Sequence, residues 1–320
     1  MTVDIKVQEK ETMMRDALAA GLLKQMKANK DVIYFDADLV GAMGTNELFK
    51  QFPEQSFDIG IMEANMMGVA AGMSINGKIP FIHSFGVFNT RRIADQVFIS
   101  GCYNNANVKI LGSDPGVTAE TNGGTHMPLE DIGVIRSFPG ITIVDIADTF
   151  LMDKVLDYAA NTYGMMYLRF PRKGVVNYYT ESNTFEIGKG NVLKDGEDVT
   201  LIACGLEVVE ALKAADILKG KGVNAAVIDM FTVKPLDADL VEEYAKKTGA
   251  IVTAENHNYI GGLGSAVCEA VADRYPVPVK RIGSKDVFGE VGDKNFLMKK
   301  FGIVAEDIAA AAQQAIAMKK

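Results

Sequence analysis

Short apolar runs rich in β-branched residues alternate with amphipathic helical patterns along nearly all of the 320-residue chain. Parallel strands joined by helical crossovers produce this order, so it predicts mainly parallel sheets covered by helices. In the first half we predict strands at 32–36, 78–85, 108–111, 141–146 and 165–170, and helices at 13–27, 63–73, 92–103, 128–138 and 149–161.

A polar stretch at 173–198 interrupts this alternation and predicts a domain boundary. A second α/β series follows, with strands predicted at 199–204, 225–230, 250–254 and 277–282, and helices at 207–219, 237–247, 263–274 and 305–318. The expected fold class is therefore α/β, with two consecutive domains at 1–185 and 190–320. Each domain is expected to be a mainly parallel sheet covered by helices.

Composition excludes several classes of function. The net charge is −8 and no basic cluster stands out, which argues against nucleic-acid binding. No long apolar run is present, and the first ten residues lack the apolar segment of a secretory signal. The three cysteines are widely spaced and form no disulfide or metal pattern. We therefore expect a cytoplasmic protein without a membrane span.

Polar residues at the carboxyl ends of predicted strands, or just beyond those ends, are the candidate site, because open parallel sheets bind ligands there. They are Asp36, Asp38, His83, Ser84, Ser113, Asp114, Arg169 and Arg172. Glu63 opens a predicted helix rich in small residues that let another backbone approach closely. Burial there would raise the pKa of Glu63 and let it share a proton with a ligand nitrogen. The simpler alternative is that Glu63 only stabilises the helix N-terminus.

Three further features each allow a functional and an ordinary interpretation. Phe85 and Phe88 could pack against a flat heterocycle or belong to the core. His126, in a polar loop with two adjacent glycines, could donate to a sugar oxygen or be solvated. Arg169 and Arg172 could bind an anion or form ion pairs.

The second half carries one candidate anion site, at 255–257 (Glu-Asn-His) and the glycine-rich 261–264. The G-x-G-x-x-G spacing is missing, so tight strand-to-helix packing is the favoured interpretation over anion binding at the helix N-terminus. The P-loop, nucleophile-elbow and H-E-x-x-H motifs are also missing from the sequence. If the chain is an enzyme, its reactive group is expected on a cofactor or on another chain.

Several motifs in order along the chain are specific enough to indicate a family. They are 36–39 (Asp-Ala-Asp-Leu), 60–66 (Gly-Ile-Met-Glu-Ala-Asn-Met), the region 84–96, 123–132, 232–237 (Thr-Val-Lys-Pro-Leu-Asp) and 255–265. Together they resemble the C-terminal subunit of a split transketolase, a thiamine-diphosphate enzyme encoded as two chains. The resemblance implies a pyrimidine-binding domain at 1–185 and a transketolase C-terminal domain at 190–320.

The resemblance also implies roles for individual residues. Glu63 falls on the glutamate that hydrogen-bonds N1′ of the aminopyrimidine and favours the imino tautomer, whose nitrogen removes the thiazolium C2 proton. The resulting ylid attacks the ketose carbonyl, and the cofactor serves as an electron sink. The implied cofactor contacts are Asp38, Ile61, Glu63, Phe85 and Phe88, with Phe88 stacking on the pyrimidine. The implied substrate contacts are Asp114, Asn122, His126 and Arg172, with His126 also assigned to catalysis.

The family binds the diphosphate and its Mg²⁺ or Ca²⁺ through a Gly-Asp-Gly…Asn motif. The similar segment 292–295 (Gly-Asp-Lys-Asn) lacks the spacing, so we expect no metal site here. A partner N-terminal subunit is expected to hold the diphosphate and metal, with two copies of each subunit in the assembly.

Three departures from the family pattern bear on the substrate. Asn122 stands where the family has an aspartate, Asp114 where a phosphate-binding histidine is common, and Glu11 or Thr12 near the usual phosphate arginine. An aspartate beside a dianionic phosphate would be repulsive. We therefore expect a sulfonated, branched or neutral sugar rather than a standard sugar phosphate.

Two alternatives stay open at the level of sequence. The chain could be the beta subunit of a 2-oxo acid or acetoin dehydrogenase, which shares the two-domain plan and the glutamate. His126 and the segment 232–237 favour transketolase. The chain could also be a non-catalytic scaffold or regulatory subunit, although Glu63 and Phe88 argue against that.

Overall fold

The computed structural model describes residues 3–319. The first half of the chain contains β1 (Glu11–Met13), α1 (Met14–Ala28), β2 (Val32–Asp36), α2 (Val40–Met43), α3 (Asn46–Gln51), β3 (Ser56–Asp58), α4 (Glu63–Ile75), β4 (Ile79–Phe85), α5 (Ala94–Gln96), β5 (Lys109–Ser113), α6 (Asp131–Arg136), β6 (Thr142–Asp145), α7 (Thr149–Asn161), β7 (Met166–Phe170) and β8 (Gly174–Val176). Irregular helical turns lie at Arg91–Ile93 and Gly116–Asn122 (3₁₀) and at Val97–Tyr103 (π).

The second half follows the same alternation. It contains β9 (Asn191–Lys194), β10 (Val199–Ala203), α8 (Glu207–Lys219), β11 (Ala225–Asp229), β12 (Thr232–Lys234), α9 (Ala238–Thr248), β13 (Ile251–Asn258), α10 (Leu263–Arg274), β14 (Val279–Ser284), α11 (Lys294–Phe301) and α12 (Ala305–Ala317). No helix within residues 3–319 is long and apolar enough to cross a lipid bilayer.

The first sheet has the strand order β12-β6-β7-β5-β4-β2-β3. All of its pairs are parallel except that between β12 and β6. The register brings the carboxyl ends of the central strands into line, since Asp36 lies opposite His83 and Phe85 opposite Ser113. Ser113 in turn lies opposite Phe170. This edge of the sheet carries the candidate site.

The second sheet has the order β14-β13-β10-β11-β9, with only β9 antiparallel, and β1 pairs separately with β8. The predicted α/β fold class, with two mainly parallel sheets covered by helices, is confirmed. The predicted helices at 149–161, 207–219 and 263–274 match the structure to the residue.

One prediction of local structure is wrong in part. The predicted helix at 92–103 is divided into 3₁₀, α and π turns. The polar stretch at 173–198 contains β8 and β9 and buries Tyr178 and Tyr179, whose hydroxyls donate to Asp229 at 3.0 and 2.8 Å. A stretch with polar composition can still pack when its polar atoms find buried partners.

Arg169 joins the two halves of the molecule. It is completely buried, and its Nε and Nη1 lie 2.7 Å from Asp131 and 2.9 Å from Asp145. Its Nη2 donates to the backbone carbonyl of Asn256, from β13 of the second half, at 2.6 Å. Of the two interpretations of Arg169, the ion pair is therefore the one the structure bears out.

In the second half of the chain, the candidate anion site at 255–264 is occupied by a side chain of the protein itself. Glu255 accepts hydrogen bonds from the backbone N–H groups of Leu263 and Gly264, at 2.7 and 2.8 Å, at the start of α10. An added Cβ on Gly262 would clash with the Glu255 carboxylate. Tight strand-to-helix packing is confirmed, because the carboxylate itself occupies the positive end of the helix.

Candidate active site

Glu63 is the first residue of α4 and is only 2% exposed. Its Oε1 accepts a hydrogen bond from the Ser84 hydroxyl, at the end of β4, at 3.0 Å. Its Oε2 lies 2.8 Å from Nη1 of Arg92. Glu63 therefore contacts two other side chains in addition to lying at the N-terminus of α4, where a carboxylate interacts favourably with the helix dipole.

An aromatic cluster stands beside this carboxylate. The Phe85 and Phe88 ring centroids lie 5.7 and 5.2 Å from that of His126, each at a steep angle. The Arg92 guanidinium lies 3.8 Å from the centre of the Phe88 ring and links the cluster to Glu63. The predicted residues Glu63, Phe85, Phe88 and His126 thus lie together, although they come from three separate segments of the chain.

The loop that carries His126 packs against the second half of the molecule. An added Cβ on Gly124 would clash with the backbone carbonyl of Gly289, so a residue without a side chain is needed there. His126 is half-buried, and its Nδ1 lies 2.9 Å from the Thr125 hydroxyl. Asn122 is exposed at the end of the 3₁₀ turn. The loop therefore presents both residues at the rim of the cluster.

Arg172 and Asp114 form an ion pair next to the same cluster. Arg172 Nη2 lies 3.0 Å from Asp114 Oδ2, and the Arg172 backbone N–H donates to Oδ1 at 3.2 Å. Burial raises the pKa of Asp114, and the neighbouring Arg172 opposes that rise. The Arg172 guanidinium also lies 5.5 Å from the centre of the Phe85 ring. Asp114 lies behind Arg172 rather than at the surface.

A second arginine lies close to Arg172, and sequence reasoning missed it. Arg15 and Arg172 both donate to the backbone carbonyl of Ala42, at 3.4 Å in each case. By sequence, Glu11 or Thr12 falls near the usual phosphate arginine of the family. In the structure Glu11 lies in β1 and pairs with Lys294, and Arg15 is the basic residue beside Arg172. The sequence feature that could have indicated this second cation is the Arg15-Asp16 pair in the first turn of α1.

Asp38 and Ile61, the two remaining predicted cofactor contacts, lie on neighbouring loops. Asp58 joins these loops by accepting from the backbone N–H groups of Asp38 and Gly60, at 3.0 Å each. Asp38 has a left-handed φ of 64°, and Ile61, two residues before Glu63, is 68% exposed. Both residues lie at the exposed edge of the site.

A fully buried hydrogen-bonded chain lies beneath the site. Asp36 accepts from the Tyr34 hydroxyl at 2.6 Å and lies 2.9 Å from His83 Nδ1, while His83 Nε2 lies 3.1 Å from the Ser113 hydroxyl. Burial alone would raise the pKa of Asp36, but His83, Tyr34 and a backbone N–H lower it below its usual value. Because water cannot enter, we interpret this chain as a support for the strand ends.

The geometry suits a flat, nitrogen-bearing ring better than a metal. No group of three or more His, Cys, Asp or Glu side chains among residues 3–319 could hold a metal ion. In the segment 292–295, Asp293 caps α11 by accepting from the Phe296 N–H at 2.9 Å. A heterocycle placed against Phe88 could instead reach the Glu63 carboxylate with a ring nitrogen.

Comparison with known proteins agrees with this geometry. The family models "Transketolase, pyrimidine binding domain" and "Transketolase, C-terminal domain" match residues 10–176 and 188–308. The 6-deoxy-6-sulfo-D-fructose transketolase subunit of Clostridium sp. (strain MSTE9) is 43% identical over 98% of this chain and 98% of its own. An apulose-4-phosphate transketolase chain of Phocaeicola vulgatus is 35% identical over 93% of this chain and 96% of its own.

A solved structure shares the whole fold. It is a split-gene transketolase in an inactive beta4 tetramer, and it is 40% identical to this chain. The two structures superpose with a TM-score of 0.89, over 96% of this chain and 99% of that one.

Proposed function

This chain belongs to the transketolase family, and we propose that it supplies the pyrimidine-binding half of a two-chain transketolase that moves a glycolaldehyde unit from a ketose to an aldose. The observation that carries the proposal is the buried Glu63 carboxylate beside the Phe88 ring. A carboxylate and an aromatic face that both contact the Arg92 guanidinium suit the two features of an aminopyrimidine, its ring nitrogen and its flat face.

Thiamine diphosphate is the cofactor that the family implies, and the residues present fit its pyrimidine end. Phe88 would stack on the ring, Phe85 would pack beside it, and Asp38 and Ile61 would line the exposed edge. Glu63 would hydrogen-bond N1′. When bound, the cofactor supplies the electron sink that stabilises a carbanion. The chain's own task is to orient the ring, exclude water from it and hold a proton at N1′.

The substrate would approach from the side of His126. A half-buried imidazole at the rim of the aromatic cluster can donate to a sugar oxygen and assist proton transfer. Asn122 lies on the same loop and would bond a substrate hydroxyl with its amide. Arg172 would hold the anionic end of the sugar, since guanidinium is a good partner for oxyanions.

The charge around Arg172 favours a singly charged tail. Arg15 and Arg172 supply two positive charges, and the buried Asp114 carboxylate, 3.0 Å from Arg172, offsets one of them. The exposed Asp16 beside Arg15 is screened by solvent and contributes little. A dianionic phosphate would meet repulsion from Asp114, whereas a sulfonate carries one charge. The Clostridium relative acts on 6-deoxy-6-sulfo-D-fructose by its name, which supports a sulfonated ketose as the donor here. The Phocaeicola relative makes a branched sugar phosphate the second candidate.

A partner N-terminal subunit would complete the site by holding the diphosphate and its Mg²⁺ or Ca²⁺. Apolar side chains exposed near the site, just before α4, on α4 and on the π turn, support a protein interface there. They are Ile61, Met62, Val69, Phe98, Ile99 and Tyr103. Gly68 and Gly72 face open space on α4, so another chain's backbone could approach closely. We propose an α2β2 assembly, located in the cytoplasm, with domain limits at 1–185 and 190–320.

Reconstitution tests the proposal. The chain would be co-expressed with the N-terminal subunit and supplied with thiamine diphosphate and Mg²⁺. We expect ketol transfer, with 6-deoxy-6-sulfo-D-fructose giving a higher kcat/KM than xylulose 5-phosphate. Lipoamide-dependent reduction would indicate a dehydrogenase subunit instead. Undiminished turnover after Glu63→Ala would indicate a scaffold.

A further inference from the structure

We propose that Arg92 is a positioning residue that keeps Glu63 ionised, so that the proton shared with the cofactor resides on the ring nitrogen and not on the side chain. The inference rests on the proposed function, because it concerns the same carboxylate and its contact with N1′. It adds a residue to which no role was assigned from the sequence.

The first argument is the identity of the groups that face the carboxylate. Arg92 Nη1 lies 2.8 Å from Glu63 Oε2, and the Ser84 hydroxyl donates to Oε1 at 3.0 Å. A guanidinium carries only donors and cannot accept a proton from Glu63. A carboxylate accepts on both oxygens, whereas a carboxylic acid needs an acceptor for its own proton. The two donors therefore fit the ionised form.

The second argument is that one side chain fixes two cofactor contacts. The Arg92 guanidinium lies 3.8 Å from the centre of the Phe88 ring while it pairs with Glu63. Phe88 lies in the irregular turn that follows β4, and Arg92 lies in the short 3₁₀ turn directly after it, so a single connection carries both side chains. The Arg92 side chain is 43% exposed, whereas that of Glu63 is 2% exposed. Arg92 thus covers the carboxylate at the edge of the cleft.

Other titratable groups on the surrounding elements have different partners or positions. The elements packed against α4 contribute His83, Arg91, Asp95, Cys102 and Tyr103, and His126 packs on Phe88. His83 lies against Asp36 and Ser113, and Arg91 pairs with Glu130 at 2.6 Å. Burial raises the pKa of the Cys102 thiol to about 11, so that group stays neutral. Among the described residues, the salt bridge to Glu63 comes from Arg92.

The consequence concerns the location of one proton. With Glu63 held as a carboxylate, a hydrogen bond between Glu63 and N1′ requires that N1′ carry the proton. Without the guanidinium, the buried carboxyl would take the proton itself, since burial disfavours an uncompensated charge.

Infrared spectroscopy of the assembled complex tests the inference. The carboxylic-acid C=O band of Glu63 is identified by subtracting the spectrum of the Glu63→Gln complex. We expect no such band at neutral pH in the wild-type complex with thiamine diphosphate bound, and we expect one in Arg92→Met. The matched control is Arg91→Met, which removes a neighbouring guanidinium and should show no band.

A second measurement locates the proton from the cofactor side. In complexes loaded with ¹⁵N1′-labelled thiamine diphosphate, we expect the protonated ¹⁵N shift in wild type and an unprotonated, hydrogen-bonded shift in Arg92→Met. Arg92→Lys, which keeps the charge, should restore the wild-type shift. A carboxylic-acid band of Glu63 in the wild-type complex would overturn the inference by itself. The lack of this band in a folded Arg92→Met complex would also overturn it.

Failure of the proposed function gives a different result. If Glu63→Gln leaves the ¹⁵N1′ signal unchanged, Glu63 does not contact the cofactor. The infrared band still reports whether Arg92 keeps Glu63 ionised.

Discussion

The Arg172 guanidinium lies 3.0 Å from the carboxylate of Asp114, which is itself almost completely buried behind it. Asp114 follows β5 with a left-handed φ of 54°, a backbone conformation that is uncommon outside glycine. The pair places one negative charge directly behind the cation proposed to bind the substrate tail. If a substrate anion binds Arg172 as proposed, it shares the guanidinium with a carboxylate that belongs to the protein.

Asp114→Asn should change the preference among substrate tails. Removal of the buried charge makes the Arg172 region more positive, so a dianionic phosphate should gain more than a sulfonate. We expect the ratio of kcat/KM for xylulose 5-phosphate to that for 6-deoxy-6-sulfo-D-fructose to rise about tenfold, or about 1.4 kcal/mol. Asp16→Asn, at an exposed aspartate beside Arg15, is the control and should alter the ratio little. Equal changes for both substrates would contradict the charge argument.

Glu63→Gln should remove most activity while it preserves the fold. Glutamine keeps the shape of the side chain but cannot hold the charge that supports a protonated N1′. We expect turnover of the assembled enzyme to fall about 10²- to 10⁴-fold, the usual contribution of a proton-transfer group. Glu47→Gln, at an exposed position on α3, serves as the control. Wild-type turnover in a complex that still contains Glu63→Gln would refute the proposed role.

Arg169→Met should destabilise the chain strongly. The substitution leaves Asp131 and Asp145 buried without their cation, and breaking such a buried pair costs about 3–5 kcal/mol. The free energy of unfolding in urea measures this loss. Arg274→Met, which breaks an exposed ion pair with Asp239, should cost less than about 1 kcal/mol. Similar losses in both variants would show that Arg169 is not the connection between the two halves.

Asp229→Asn should alter the pH dependence of stability. Burial raises the pKa of Asp229 to about 7, despite the hydrogen bonds from Tyr179 and Tyr178. The native state therefore keeps a proton that the unfolded chain has already released, and wild-type stability falls as pH rises from about 4 to about 7. Asparagine does not titrate in this pH range, so the variant lacks this contribution to the pH dependence of stability.

Urea unfolding at several pH values measures this difference. Relative to wild type, Asp229→Asn should gain about 3 kcal/mol between pH ~5 and pH ~8, since the change spans about two pKa units and one unit is worth about 1.4 kcal/mol. Asp216→Asn, at an exposed aspartate on α8, should follow the wild-type curve. A constant difference between Asp229→Asn and wild type across pH would argue against a raised pKa.

Val69→Asp should weaken assembly with the N-terminal subunit. Val69 is exposed on α4, beside the open glycines proposed to contact the partner. A charge in the centre of an apolar interface should raise the Kd at least tenfold, which is about 1.4 kcal/mol. Tyr158→Asp, at a similarly exposed residue on α7, should leave the Kd unchanged. Sedimentation or calorimetric titration with the partner would measure both values.

The sequence by itself determined the order of the elements and the end of the sheet that carries the site. Apolar runs and helical periodicity are local properties, which is why the helices at 149–161, 207–219 and 263–274 were predicted to the residue. The polar residues after strands were equally visible, and family resemblance selected Glu63, Phe88 and His126 among the candidates. The side chains of these three lie in one cluster.

Only the tertiary structure decided which charges pair with one another. Arg169 lies within β7 and Arg172 lies just beyond its end, yet one is buried between the two halves and the other faces the site. Arg92 reaches Glu63 across 29 residues, and β12 leaves its own half to pair with β6. Such pairings depend on distances between segments far apart in the chain, and local sequence patterns carry no information on those distances. Burial then sets the strength of each charge interaction, and burial is a property of the folded molecule alone.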